Sequence, residues 1–215
     1  MDKLGAQAHT LPTPTADRPL LGLTVLVIED SRYACEAMRL LCLRSGARIR
    51  RADCMRAARR HLQVYRPSIV IADLGLPDGN GIDLIEELAR AQPRVDALLA
   101  ISGDTHLAAD AMAAGADGFI EKPLNSLAQF QQAVLSVLPS DRQPTGVRLI
   151  EDEKIEPDAI AYQDDMAHIA DVLDDNSDAI TLDYVAQFLG GVELSKIDTK
   201  DSDNATDSLN NSCCK

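Results

Sequence analysis

Ser68-Ile69-Val70-Ile71-Ala72-Asp73-Leu74-Gly75-Leu76-Pro77-Asp78-Gly79-Asn80-Gly81 is the stretch that decides the fold. An apolar run rich in β-branched residues delivers Asp73 into a segment of Gly, Pro and Asn, as a buried strand does where it opens into a loop. Two further runs end in the same manner. Val25-Leu26-Val27-Ile28 stops at Glu29-Asp30, and Ala97-Leu98-Leu99-Ala100-Ile101 stops at Ser102-Gly103. A fourth, Gly118-Phe119-Ile120, stops at Glu121-Lys122-Pro123. Acids, a hydroxyl and a lysine thus follow the carboxyl ends of buried strands. In an open parallel sheet that edge is where ligands bind.

Working outward, strand and helix patterns alternate from Leu23 onward. Strands are predicted over 24–29, 47–51, 68–73, 96–101 and 117–121, and helices over 31–45, 54–65, 81–91, 104–114 and 125–138. Ser31 is placed to cap the first helix and Ser45-Gly46 to end it; Gly81 opens the third, Asp104 or Thr105 caps the fourth, and Gly115 ends it. Short apolar strands alternating with amphipathic helices imply βαβ units, a parallel sheet and right-handed crossovers, hence an α/β domain over residues 23–139.

The flanks read differently. Residues 1–22, with Pro12, Pro14 and Pro19, read as a flexible leader, and 140–157, bounded by prolines and charged, as a linker. Residues 158–192 read as a helical hairpin. Tyr162, Met166, Ile169 and Leu173 form one apolar stripe, and Leu182, Val185, Leu189 and Val192 another after a cap at Ser177; Gly190-Gly191 ends the second helix. Two short helices cannot bury such stripes alone. The fifth helix, Leu124 to Leu138, has no charged residue and the fourth is Ala-rich, so the hairpin is expected to cover that neutral face, within the chain or across a dimer. Residues 193–215 form a polar, disordered tail.

Charge is distributed unevenly. Of a net charge of −13, residues 140–215 carry 18 acids and 6 bases, net −12. A duplex-binding segment would be basic, so no DNA binding is expected there. Arg44, Arg48, Arg50, Arg51, Arg56, Arg59, Arg60 and Arg66 crowd the second strand and helix; they read as solvated stems, or as a dock for the acidic segment or a phosphodonor. No apolar run approaches the ~20 residues that span a bilayer, and the amino terminus lacks a secretory pattern. A cytoplasmic location, no membrane association and buried reduced thiols at Cys35, Cys42 and Cys54 are expected. The scattered histidines argue against a zinc site.

Glu29-Asp30, Asp73 with Pro77 and Gly81 behind it, Ser102-Gly103, Phe119 and Lys122-Pro123 stand in an order that resembles the response-regulator receiver domain of two-component signalling. The resemblance covers roughly residues 23–138 and rests on five separated elements matching in order. It implies a doubly wound, flavodoxin-like five-stranded parallel sheet of order 2-1-3-4-5, with the C-terminal hairpin as an addition. It further implies Asp73 as phosphoacceptor, phosphorylated by a histidine kinase or histidine phosphotransfer protein. Mg²⁺ would be held by Asp30, Asp73 and the carbonyl of Gly75, with Glu29 acting directly or through water. Lys122, followed by Pro123, would stabilise charge on the phosphoryl group, Ser102 would donate its hydroxyl to it, Gly103 would leave it room, and Phe119 would act as a rotameric switch. Such chemistry suits the residues, because clustered carboxylates repel one another until a hard divalent ion joins them. The resemblance implies no enzyme beyond self-phosphorylation and dephosphorylation.

Each residue also has a plainer role: Glu29-Asp30 and Ser102 as helix caps, Asp73 as a turn acid, Lys122 as a surface lysine, Phe119 as core. Output through a downstream protein partner or a homodimer is one reading. A DNA-binding regulator is another, disfavoured by charge. A phosphorelay intermediate with a second acceptor at His168 is a third, disfavoured because no lysine or glycine follows that histidine closely.

Overall fold

The alternation of apolar runs and amphipathic segments is realised in a computed structural model, which describes residues 12–145, 153–175 and 178–192. In chain order the elements are β1 (Thr24–Ile28), α1 (Arg32–Arg44), β2 (Arg48–Ala52), α2 (Met55–Val64) and β3 (Ile69–Asp73). A two-stranded ribbon follows, β4 (Gly75–Leu76) and β5 (Gly79–Asn80), then α3 (Gly81–Arg90), β6 (Ala97–Ser102), α4 (Ala108–Ala114), β7 (Gly118–Glu121) and α5 (Leu127–Val137). After these come α6 (Ala159–Asp175) and a further helix, α7, over 179–192.

β2, β1, β3, β6 and β7 form one parallel sheet in that order. Leaving out the small ribbon, this is the expected 2-1-3-4-5 arrangement. Because β3 and β6 are covered on both faces, every residue of both strands is buried, which is why they read as unbroken apolar runs rather than alternating ones. The alternation survives as a division of side chains. Val25, Val27, Ile69, Ile71, Leu99 and Ile101 point into the α1/α5 side, where Phe130 and Leu41 are wholly buried. Leu26, Ile28, Val70 and Leu98 point into the opposite layer with Leu84 and Ile85. Chain direction of growth reverses between β1 and β3, and the crevice at their carboxyl ends is the place a doubly wound sheet offers a ligand.

Local chemistry sets the element ends. Ser31 accepts from the N–H of Ala34 at 3.0 Å, capping α1. Gly115 ends α4 in the left-handed region at φ 107°, as expected for a helix-terminating glycine. The fourth helix begins later than its pattern suggested: Asp104 caps a single 3-10 turn, Thr105–Leu107, and α4 starts only at Ala108. At the start of α2 the capping residue is remote, since Asp78 accepts from the N–H groups of Met55 and Arg56 at 2.8 and 2.9 Å. Burial would raise the Asp78 carboxyl, but those N–H groups hold it below its ordinary value.

Three expectations need correction. The leader through residue 22 is tied down at its end, where Leu20 is fully buried and its N–H donates to the Ser45 carbonyl at 2.9 Å; an apolar pair behind Pro19 outweighs the prolines. The linker is anchored too. Ile155 is buried in the α1/α5 core, its N–H donates to Asn125 at 2.7 Å, and Leu127 donates to Glu153 at 2.9 Å. The hairpin does not cover α4 and α5. It lies on the amino-terminal end of α1, where Asp165 accepts from the N–H of Arg32 at 2.8 Å, that of Tyr33 at 3.0 Å and the hydroxyl of Ser31 at 2.7 Å. Tyr162 meets Tyr33 edge-on with ring centroids 6.1 Å apart.

The reason is electrostatic: acids in α6 find the unsatisfied N–H groups of a helix start. The exposed positions of the uncharged α5 are Gln129, Gln132 and Ser136, which are neutral but polar. Within the hairpin Ile169, Val185, Phe188 and Val192 form the buried cluster, while Leu182 stands half exposed. Helix α7 also runs through Gly190-Gly191 to residue 192. Of the remaining expectations, residues 1–11, 146–152, Ser177 and the tail 193–215 lie outside the described residues.

Gly81 explains the tight exit from β3. A Cβ there would lie 2.1 Å from the Asp73 carbonyl oxygen and 2.7 Å from the Leu74 Cα, both backbone atoms that cannot swing aside. Gly81→Ala should therefore destabilise the domain by about 1–3 kcal/mol, the usual cost of forcing atoms into a packed site. Urea denaturation followed by circular dichroism measures it, and an unchanged midpoint would contradict the packing described.

Candidate functional site

Four strand ends bring the chemistry together because the sheet is parallel. β1 delivers Glu29 and Asp30, β3 ends on Asp73, β6 ends on Ser102, and the residue after β7 is Lys122. The register keeps them level: Ile28 pairs with Ala72, Asp73 with Ile101, and Ser102 with Glu121. The Lys122 N–H also donates to the Ser102 carbonyl at 2.9 Å, fixing the start of the loop to α5.

Lys122 is 8% exposed and stretches into the acids, placing Nζ 2.8 Å from Glu29 Oε2 and 3.1 Å from Asp73 Oδ2. Carboxylate oxygens of Glu29, Asp30 and Asp73 lie within 4.8 Å of one another. Three acids against one ammonium leave a charge excess that burial penalises. Burial, outweighing the attraction of Lys122, pushes Glu29 up to about 8, and burial pushes Asp30 up to about 6. Burial alone would lower Lys122, yet Asp73 and Glu29 hold it above its ordinary value.

The donor set suits a hard divalent cation. All three side chains offer oxygen, and Asp30 Oδ1 is buried with no hydrogen-bond partner among the described residues. A cation would both satisfy that atom and offset the charge excess.

Glu29, Asp30, Asp73, Gly75, Ser102, Gly103 and Lys122 line one cavity of about 310 Å³. Ser102 Oγ accepts from the Asp104 N–H at 3.1 Å, which leaves its own proton to be donated into that cavity. Phe119 and Pro123 do not line it. Phe119 is partly buried against the core layer of α2 and α3, and Pro123, preceded by a cis peptide bond, lines a small adjoining crevice. Nor does His168, which lies against the Phe188 ring with centroids 6.4 Å apart.

The far wall of the cavity comes from α7. Tyr184 donates its hydroxyl to Asp30 Oδ2 at 2.6 Å; burial, then the Asp30 charge, hold that hydroxyl above its ordinary value. Gln187 Oε1 comes within 3.0 Å of where a Gly75 Cβ would stand, and Gly191 abuts the Lys122 stem, its own notional Cβ lying 3.5 Å from Cδ. The sequence gives none of Asp165, Tyr184, Gln187 or Gly191 a place at the site, Gly191 being read there only as part of a helix end. The available signal was an Asp164-Asp165 pair in an otherwise apolar helix face, and a tyrosine directly beside the stripe residue Val185.

No described helix is long and apolar enough to cross a membrane. Residues 25–134 match the family model described as the response regulator receiver domain. Among relatives, the transcriptional regulatory protein KdpE of Mycobacterium tuberculosis is 31% identical over 138 residues, 63% of this chain and 58% of that protein. The KDP operon transcriptional regulatory protein KdpE of Escherichia coli is 29% identical over 99 residues, 46% of this chain and 44% of that one. The chain thus spans about half the length of these relatives. The fold matches the signal receiver domain of a signal transduction histidine kinase from Syntrophus aciditrophicus, with TM-score 0.50, 22% identity and coverage of 60% of this chain and 99% of that one. Through residues 25–134 the chain belongs to the response regulator receiver domain family.

Proposed function

We propose that this response regulator takes a phosphoryl group on Asp73 and passes the signal on through protein contacts. The observation that carries the reading is the buried constellation of Asp73, Glu29, Asp30 and Lys122 at one mouth, which combines a carboxylate nucleophile with a fixed cation. A histidine kinase or histidine phosphotransfer protein is the fitting donor. An Asp73 carboxylate oxygen attacks phosphorus, the bond from phosphorus to the donor's imidazole nitrogen breaks, and its electron pair stays with the imidazole. The product is an acyl phosphate. Lys122 trades its contact with Asp73 for the incoming phosphoryl oxygens, and Ser102 donates a hydrogen bond to one of them, so charge is met by groups already in place. A Mg²⁺ held by Asp30, Asp73 and Gly75, with Glu29 alongside, would supply further charge neutralisation. Dephosphorylation is the same displacement with water, Asp73 leaving.

Of the acidic carboxyl-terminal third, the described part, α6 and α7, supplies a protein-binding or dimer-forming element rather than a basic reading helix, and a cytoplasmic site of action fits the two-component pathway. The relatives are named transcriptional regulators, which makes DNA binding the second reading. Against it stands the net −12 of residues 140–215, a field that repels phosphate backbones.

Incubation with acetyl phosphate and Mg²⁺ should label the wild-type chain and not Asp73→Asn, read by phosphate-affinity gel; equal labelling of both would overturn the phosphoacceptor assignment.

Metal affinity should depend on pH in a defined direction. Glu29 and Asp30 titrate in the fold at about 8 and about 6, above their unfolded values. The fold therefore favours their protonated forms, so stability of the metal-free protein declines as pH rises from about 4 through 8. Mg²⁺ requires the ionised forms and should bind more tightly across the same window, by up to roughly tenfold per pH unit for each proton displaced. The rise in melting temperature on adding Mg²⁺ should be larger at pH 8 than at pH 5.5. A shift independent of pH would place the ion elsewhere.

Sequence-selective DNA binding should be absent in a gel shift with genomic fragments at physiological salt. Selective retardation by the phosphorylated chain would establish the second reading instead.

A further inference from the structure

The phosphorylation site described above is closed on one side by the chain's own carboxyl-terminal hairpin. α7 contributes Ala186, Gln187, Phe188, Gly190, Gly191 and Val192 to the cavity that holds Asp73. Three attachments hold it there. Asp165, 1% exposed, takes three hydrogen bonds from the first residues of α1 and its cap. Tyr184 holds Asp30 through its hydroxyl. Gly191 packs on the Lys122 stem, a Cβ there lying at ordinary contact distance, 3.5 Å from Cδ and 3.7 Å from Nζ.

We propose that α6 and α7 form an intramolecular lid that occupies the phosphodonor's approach to Asp73, so that phosphorylation by a protein donor requires the lid to lift. The inference rests on the reading of Asp73 as phosphoacceptor. A cavity of about 310 Å³ admits a small acyl phosphate, but an imidazole carried on a folded protein must enter through the wall that α7 fills. Tyr184 adds a restraint of its own. Its hydrogen bond ties Asp30 Oδ2 to the lid, so the lid and the cation site share one carboxylate while Oδ1 stays open to an ion.

The same arrangement lets the phosphoryl group act as the release signal. Residues 158–192 contain eight aspartates and no lysine or arginine. A phosphoryl group on Asp73 adds negative charge and bulk directly beneath Gln187 and Gly191, and its claim on Lys122 disturbs the surface on which Gly191 rests. Ligands that favour the open arrangement shift the population by their differential affinity for it. Mg²⁺ with beryllofluoride, a stand-in for the phosphoryl group, is such a ligand.

Hydrogen exchange by mass spectrometry on the full chain tests this. In the free protein, peptides covering 179–192 and the amides of Arg32 and Tyr33 should be protected. Mg²⁺ with beryllofluoride should accelerate exchange in both regions together. Tyr184→Phe, which keeps the ring and removes the hydroxyl, should accelerate exchange in 179–192 of the free protein by roughly tenfold or more, the loss of one hydrogen bond to a charged group. Phe188→Ala should loosen 179–192 and speed labelling by a phosphorylated histidine phosphotransfer protein more than labelling by acetyl phosphate. Unprotected 179–192 in the free protein, protection that increases with beryllofluoride, or unchanged exchange of 179–192 in Tyr184→Phe would each overturn the lid. The exchange of Arg32 and Tyr33 in the free protein is read without phosphate, so a failure of the Asp73 assignment remains distinguishable from a failure of the lid.

Discussion

The buried contact of Lys122 with Glu29 and Asp73 is the constraint around which the rest of the domain is arranged. An ammonium group and two carboxylates taken out of water are tolerated only when held at contact distance, and removing one partner leaves an uncompensated charge. That demand explains why three strands must end level with one another and why the Lys122 N–H is tied back to the Ser102 carbonyl. It also explains why the layers beneath are built of branched aliphatic side chains that leave no slack. Even so the charges do not cancel. The surplus of acid is a cost to the resting fold, and it is the same surplus that makes the mouth receptive to a cation.

The fold was legible because its signals are local and repeated. Runs such as Ile69–Asp73 and Ala97–Ser102 are unbroken because both faces are covered, and the residues that punctuate them, Gly81 and Gly115, have backbone reasons for being glycine. The members of the site were legible for a related reason: in a parallel sheet, position after a strand end is position at the ligand edge. The hairpin's seat was not legible. Its stripes specify that Ile169, Val185 and Val192 are buried, but they do not specify against what. The partner was chosen by Asp165 finding the start of α1, a pairing of residues 134 positions apart that leaves no periodic trace. Absence of charge along α5 misled because glutamine and serine at its outer positions are comfortable in water.

The two walls of the mouth are held differently. On one side Asp78 ties the loop after Asp73 to the start of α2 through two backbone N–H groups, and the ribbon β4–β5 stiffens the same loop. On the other side the wall is a helix pair whose apolar cluster is largely its own, joined to the domain by polar contacts at Asp165 and Tyr184. Apolar burial would be lost on separating layers of the core, whereas these polar contacts can be exchanged for water at modest net cost. Motion is therefore cheaper on the α7 side.

Ile155 gives that difference a kinetic meaning. It is buried in the main core only a few residues before α6 begins, so a hairpin that lets go of α1 is still moored beside the mouth. A short tether presents its cargo at an effective concentration on the order of millimolar. Rebinding is then a first-order event whose rate does not depend on how much of the protein a cell contains. A competing protein must match that local concentration through its own affinity or wait for the hairpin's equilibrium to shift. The moored segment thus sets a threshold for input that is a property of the single molecule.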